Sequence, residues 1–418
     1  MPRYLPLLVL ATGLAACSSQ SPEQQIVADA ADALGGRDRI EAVSTLVLEG
    51  EGTNWNMGQD MTMEATGQMF AITGYRRAVD LENGRMRVEQ TRTPNFLYYQ
   101  GQASQSQAYG LDGDVAYALP ASGAPVRTSA QTAADRTIEL YHHPLVLVRA
   151  ALGPQAVLAN ARTEGAEQLV DITLPSAGTF TLAVDAATHR PTRIRSDAAH
   201  PNLGDVVIET RLEDYAAAGE LQLPQRLTTS VDRFKIAELM LSRPTVNGET
   251  GELAAPAEVS AAAVPGTPAP RVEAEELAPG VWRLAGQSHH SALIEFDDHL
   301  MLVEAPQSEA RTLAAIEQAR ELVPGKPLTQ LVSTHHHFDH SAGLRAAVAE
   351  GLTVITLQPN VAYYEEAASR PHTRQPDRLA GARSRWPSRA WTTPASSRMA
   401  RAGSSCTTST ATRTPTRC

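Results

Sequence analysis

The chain has 418 residues, enough for two or three domains that each bury a core of their own. Its formal net charge is -10, with acidic residues spread along the sequence rather than gathered in runs; this excludes a nucleic-acid surface and leaves an ordinary soluble body. Apart from Cys17, cysteine occurs only as Cys406 and Cys418, so the body between them should hold no disulfide and any metal centre there must use nitrogen and oxygen donors.

The N-terminus reads Met1-Pro2-Arg3-Tyr4 and then an apolar run from Leu5 to Leu14, too short to span a bilayer but with the make-up of a secretory signal. Leu14-Ala15-Ala16-Cys17 resembles the lipobox of bacterial lipoproteins. That resemblance implies a signal over residues 1–17, diacylglycerol on Cys17 and a membrane anchor without a transmembrane helix. With Ser18 following, it places the protein in the cell envelope, facing the periplasm from the outer membrane. An ordinary cleaved signal with an incidental cysteine is the alternative.

Residues 18–250 read as a β-rich antiparallel domain. A helix is expected from Glu23 to Ala33, where Gly35-Gly36 stops it. Short alternating segments follow, among them Thr45 to Gly50, Arg85 to Gln90, Leu169 to Leu174, Thr179 to Val184, Asp205 to Thr210 and Gln225 to Val231, separated by Gly, Pro, Asn and Asp. One helical interruption, Arg136 to Leu152, is expected across the concave face of the sheet. Its His142 and His143 sit in an apolar setting and read as packed or surface histidines rather than ligands. This half loosely resembles the curved-sheet domains of periplasmic lipoprotein carriers, which cup hydrophobic ligands. Residues 251–271, rich in Ala and Pro, read as a linker.

From residue 272 to 380 the pattern changes. Strands are expected at Val281 to Leu284, Ala292 to Phe296 and Leu300 to Val303, then a helix from Ser308 to Leu322, a strand from Leu328 to Ser333, a helix from Gly343 to Ala349 and a strand from Leu352 to Thr356. Antiparallel strands followed by βαβ units give a mixed sheet covered by helices.

The strand Leu328 to Ser333 runs into Thr334-His335-His336-His337-Phe338-Asp339-His340-Ser341-Ala342-Gly343. Side chains two apart in an extended loop project the same way, so His335 and His337 can hold one ion, and Asp339 and His340, past the following turn, can face a second. Imidazole and carboxylate without thiolate suit Zn²⁺ best, with Fe or Mn as alternatives. The run fits the His-x-His-x-Asp-His signature and is identified as that of the metallo-β-lactamase superfamily. The resemblance implies a metal-dependent hydrolase, with two zinc ions in a complete homologue, Asp339 as ligand and orienter of the attacking water, and a small-molecule substrate. Gly280 to Leu284, Ser288 to Phe296 and Val303 to Pro306 look like the superfamily's opening strands, with Glu304 where an aspartate is usual. His289 and His290 read as polar residues at a strand start, and His336, pointing away from the paired ligands, as set behind them or facing solvent.

The superfamily's second half supplies another histidine, a bridging aspartate and a final histidine. Here no Asp or Glu follows Asp377, and Arg, Ser, Thr, Ala and Pro dominate residues 381–418, an aberrant disordered tail that should not extend the sheet. A shifted reading frame near residue 380 accounts for the break, because the codons of Cys406 to Cys418 read one frame over permit a segment like that bearing the third histidine; a divergent natural tail is the alternative. The expected whole is α+β: a β-rich antiparallel N-terminal domain followed by an incomplete αββα metallo-β-lactamase-like domain with impaired activity. A non-catalytic envelope lipoprotein that binds lipid or a protein partner is the rival reading.

Overall fold

A computed structural model describes residues 20–96, 104–382 and the backbone of 391–392. Cys17 and the signal segment lie outside the described residues, as does most of 381–418. The chain is α+β and divides into two compact units: residues 1–200 with 205–268, and residues 201–204 with 269–418.

The first unit is built on one fourteen-stranded sheet. Its order runs from Val126–Arg127 through Val115–Ala118, Gln105–Asp112, Arg85–Pro94 and Met69–Asp80 to Thr45–Trp55, then crosses to Phe234–Leu241 and meanders back as far as Val157–Glu164. The short strand Thr245–Val246 pairs with Thr45–Trp55 off this path. Tight hairpins make the meander possible: Asp112 pairs with Val115 across a two-residue turn in which Gly113 takes φ 59, a conformation that costs glycine little.

Helices fill one face of this sheet. Pro22–Leu34 starts with a capping box, Ser21 accepting from the Gln24 amide and the Gln24 side chain accepting from the Ser21 amide. It contributes Ile26, Val27, Ala30 and Leu34 to a core that includes Leu46, Met86, Phe180, Leu182, Ile194 and Leu223. The single interruption expected at Arg136 to Leu152 is instead two helices, Ala130–Tyr141 and Pro144–Leu152. Pro144 forces the residue before it out of helical space, and His143 is extended at φ -123, ψ 131. The first of the two begins earlier than expected because Ser129 caps it, accepting from the Thr132 amide.

His142 and His143, at the break, are packed inside the unit. The His142 ring nitrogens each lie 2.9 Å from a hydroxyl, Nδ1 from Thr210 Oγ1 and Nε2 from Ser196 Oγ. Burial first, and the nearby Arg77 charge second, push His142 down to about 3 and hold His143 well below its usual value. The Ala/Pro stretch read as a linker is tied down over part of its length. Leu253 and Val259 are buried, Tyr117 donates its hydroxyl to the Leu253 carbonyl at 3.0 Å, and Ala257–Ala261 forms a short helix. Its few large apolar residues are enough to seat it, Leu253 against Val47 and Ala78.

The second unit is a seven-stranded sheet in sequence order: Glu273–Ala278, Val281–Ala285, Ser291–Glu295, Leu300–Val303, Leu328–Val332, Thr353–Ile355 and Trp391–Thr392. Pairing is antiparallel through Leu300–Val303 and parallel beyond it. Trp391–Thr392 lies in the tail whose composition argued against further strands, and its two backbone pairs with Val354 and Ile355 do extend the sheet. Helix Glu309–Leu322 lays Ala315, Ile316 and Ala319 on the core formed by Leu302, Leu331 and Val354, and helix Leu344–Ala349 adds Leu344 and Ala347. Burying a leucine such as Leu331 stabilises the unit by about 1.5–3 kcal/mol. Strand Glu273–Ala278 and helix Gln358–Ser369 add to the elements expected from the sequence.

Candidate metal centre

Strand Leu328–Val332 lies inside the parallel part of the sheet, between Leu300–Val303 and Thr353–Ile355. At its carboxyl end the chain leaves the sheet, the usual place for a site in an open α/β layer. Residues 333–337 have no helical or strand pairing, and Phe338–Ser341 is one helical turn with His337 at its N-cap.

Helix Gln358–Ser369 braces this loop from behind. The buried Tyr364 hydroxyl lies 2.7 Å from the His335 carbonyl, to which it donates, and 2.7 Å from Ser333 Oγ. Asn360 donates to the Thr334 carbonyl at 3.4 Å and to Thr356 Oγ1 at 3.1 Å. Ser341 Oγ donates between the His336 and His337 carbonyls, at 2.9 and 3.0 Å. Most polar backbone atoms of the loop are thereby satisfied by protein rather than solvent, which fixes where its side chains point.

His335, His337, Asp339 and His340 come together at this edge. The His335 ring lies 4.4 Å from that of His337 and 4.3 Å from that of His340, centroid to centroid. His340 Nε2 is 3.9 Å from Asp339 Oδ2, and its Nδ1 is 3.7 Å from Glu304 Oε2. Ligand atoms of Glu304, His335 and His340 all lie within 4.8 Å of one another, and so do those of His289, Asp339 and His340. His337 belongs to neither of these two groups, although its ring is against His335.

Two members were not read as site residues. His289, set aside as a polar residue at a strand start, places Nε2 3.0 Å from Asp339 Oδ2. Glu304 is buried, takes φ 67, and accepts from the Thr334 amide and hydroxyl. With the Thr334 hydroxyl donated to Glu304, its oxygen accepts from His335 Nδ1 at 2.8 Å, which leaves His335 Nε2 to face the cluster. His290 stays apart, accepting from the Gly286 amide at 3.3 Å. His336 does not face solvent: it is buried edge-on against His337 and Tyr363.

The donor set fits a divalent cation. His340 Nδ1 and Glu304 Oε2 are buried without a hydrogen bond, an arrangement that a positive charge would relieve. Burial, with His340 and His337 alongside, lowers His335 to about 4, and burial lowers His340 as well, so both imidazoles keep their lone pairs free at neutral pH. Burial raises Glu304 despite its bonds from Thr334, and the Asp339 charge adds to the rise.

Residues 285–379 match the family model described as the metallo-beta-lactamase superfamily. This segment belongs to that superfamily. Solved structures similar to the chain include the metallo-beta-lactamase of Hirschia baltica, 22% identical, covering 24% of this chain and 50% of that one with a TM-score of 0.21. FIM-1 of Pseudomonas aeruginosa, in its mono-zinc form, is 20% identical over 24% of this chain and 48% of its own, with a TM-score of 0.22. The enzyme of Pontibacter korlensis is 17% identical over 24% and 51%, with a TM-score of 0.22. The metallo-β-lactamase segment therefore spans about half the length of the solved structures it matches. No curated protein matches the chain.

Proposed function

We propose that the second unit is a metal-dependent hydrolase centre of the metallo-β-lactamase type, held by His335, His337, Asp339 and His340 and acting on a small-molecule substrate. The observation that carries this reading is the convergence of three motif imidazoles and a carboxylate at the end of a buried parallel strand. Nitrogen and oxygen donors without thiolate favour zinc over iron or manganese. A bound cation there supplies Lewis acidity, polarising a substrate oxygen and acidifying water. Asp339, 34% exposed, would be both a ligand and the group that orients that water.

Residues 378–418 add no His, Asp or Glu, so every such donor in this sequence precedes them. Held by the four motif residues alone, zinc should bind weakly and turnover should be slow. Calorimetric titration of the full chain with Zn²⁺ tests the centre: measurable uptake should disappear in a chain carrying His335→Ala, His337→Ala, Asp339→Ala and His340→Ala together. Uptake that survives the fourfold substitution would place the ion elsewhere and end this assignment.

We propose further that the protein is an envelope lipoprotein anchored through Cys17. In a Gram-negative host the full chain should sediment with membranes, and Cys17→Ser should release it into the soluble fraction. An unsubstituted chain found soluble would rule out the anchor.

A further inference from the structure

We infer that His289 is a ligand to the cation, completing with Asp339 and His340 a three-donor position that the histidine motif alone does not define. The inference rests on the cation-binding reading above and adds to it a residue from a different part of the chain. His289 lies in the loop between strands Val281–Ala285 and Ser291–Glu295, far in sequence from the motif. Its Nε2 lies 3.0 Å from Asp339 Oδ2, and its ring sits 4.9 Å from that of His340 at an interplanar angle of 70°.

An ion pair with Asp339 would account for the first distance alone. Two further features do not follow from a pair. The third donor, His340 Nε2, faces the same carboxylate oxygen, so three ligand atoms converge within 4.8 Å of one another. The far side of the His289 ring is also held: Nδ1 lies 2.7 Å from Ser288 Oγ, which accepts from Gln307 Nε2 at 2.7 Å. Gln307 in turn donates its amide to the Asp339 carbonyl at 3.3 Å, tying both donors to one residue. A metal-binding imidazole is characteristically oriented in this way, one nitrogen fixed by an outer partner and the other presented inward. His289 and Asp339 are each 34% exposed, which leaves the position a side open to water and substrate.

The position would take a borderline divalent cation such as Zn²⁺ or Co²⁺.

The test is Co²⁺ titration of the full chain followed by visible absorption, with Zn²⁺ competition, for the unsubstituted protein, His289→Ala, His289→Asn and Ser288→Ala. The unsubstituted protein should develop visible ligand-field bands. Ser288→Ala should weaken binding by about tenfold, as loss of an outer-shell partner does, and His289→Ala by more, with the band positions altered. His289→Asn, which keeps the size and polarity of the loop, should behave like His289→Ala. Unchanged affinity and spectrum in both His289 variants would overturn this inference and leave the motif centre standing. Absence of any Co²⁺ or Zn²⁺ uptake by the unsubstituted protein would overturn both.

Discussion

Acidification from pH 6.5 to 4.5 should take about 2 kcal/mol from the first unit through His142 alone. The sign follows from where the proton binds. In the folded unit His142 is held down to about 3, whereas in the unfolded chain it titrates near its ordinary 6.5. Between those values the unfolded state binds more protons, so stability is intact above 6.5 and falls by about 1.4 kcal/mol per pH unit below it. His143, also buried and depressed, acts in the same direction. Glu139 acts in the opposite one: burial raises its carboxyl, so the folded unit gains relative stability as the pH falls through that raised value. Against a domain stability of about 5–15 kcal/mol the histidine loss is large. Hydrogen exchange of the Ile194 and Leu223 amides, which lie in the core of this unit, measures it separately from the second unit. His142→Asn should be less stable than the unsubstituted chain at pH 7 yet lose less protection on acidification. Equal losses in the two proteins would show that His142 does not carry the acid sensitivity.

The parts of the second unit that could be read from sequence are those whose signal is local. An apolar strand ending in a His-x-His-x-Asp-His run specifies both the strand and the loop, because alternate side chains of extended backbone share a side. Glu273–Ala278 gave no such signal: it is a strand with every side chain exposed, so no buried face imposes alternation on Glu-Ala-Glu-Glu-Leu-Ala. Helix Gln358–Ser369 buries Asn360, Tyr364, Ala367 and Ala368, polar or small residues that do not register as an apolar stripe, yet its polar pair positions the site loop. His289 was unreadable for a third reason. Its place beside Asp339 depends on the pairing of Ser291–Glu295 with Leu300–Val303 and of that strand with Leu328–Val332, a non-local register. In the first unit the helix break at Pro144 was written in the sequence, but the earlier helix start depended on the Ser129 cap within a polar segment.

Gly343 closes the motif, and Gly343→Ala should destabilise the second unit by about 1–3 kcal/mol and weaken cation uptake at the same time. A Cβ at this position would lie 1.8 Å from Thr312 Oγ1, 2.4 Å from Thr312 Cβ and 2.9 Å from the Ser308 carbonyl oxygen. Thr312 is fully buried on helix Glu309–Leu322, so it has little room to turn aside. Residue 343 must therefore move, and it is stitched to the site: its amide donates to the Ala305 carbonyl at 2.9 Å, while the Ala305 amide donates to the His340 carbonyl at 3.1 Å. Displacing the glycine pulls on His340 and on Glu304, the neighbour of Ala305, both of which belong to one of the two donor groups. Thr312→Ala removes the closest contact but leaves its own Cβ and the Ser308 carbonyl in place, so the double variant should recover only part of the loss. Thermal unfolding and Zn²⁺ titration of the two single variants and the double variant separate the effects. A Gly343→Ala chain with unchanged melting temperature and unchanged zinc uptake would show that the helix and the motif loop do not meet as closely as this packing requires.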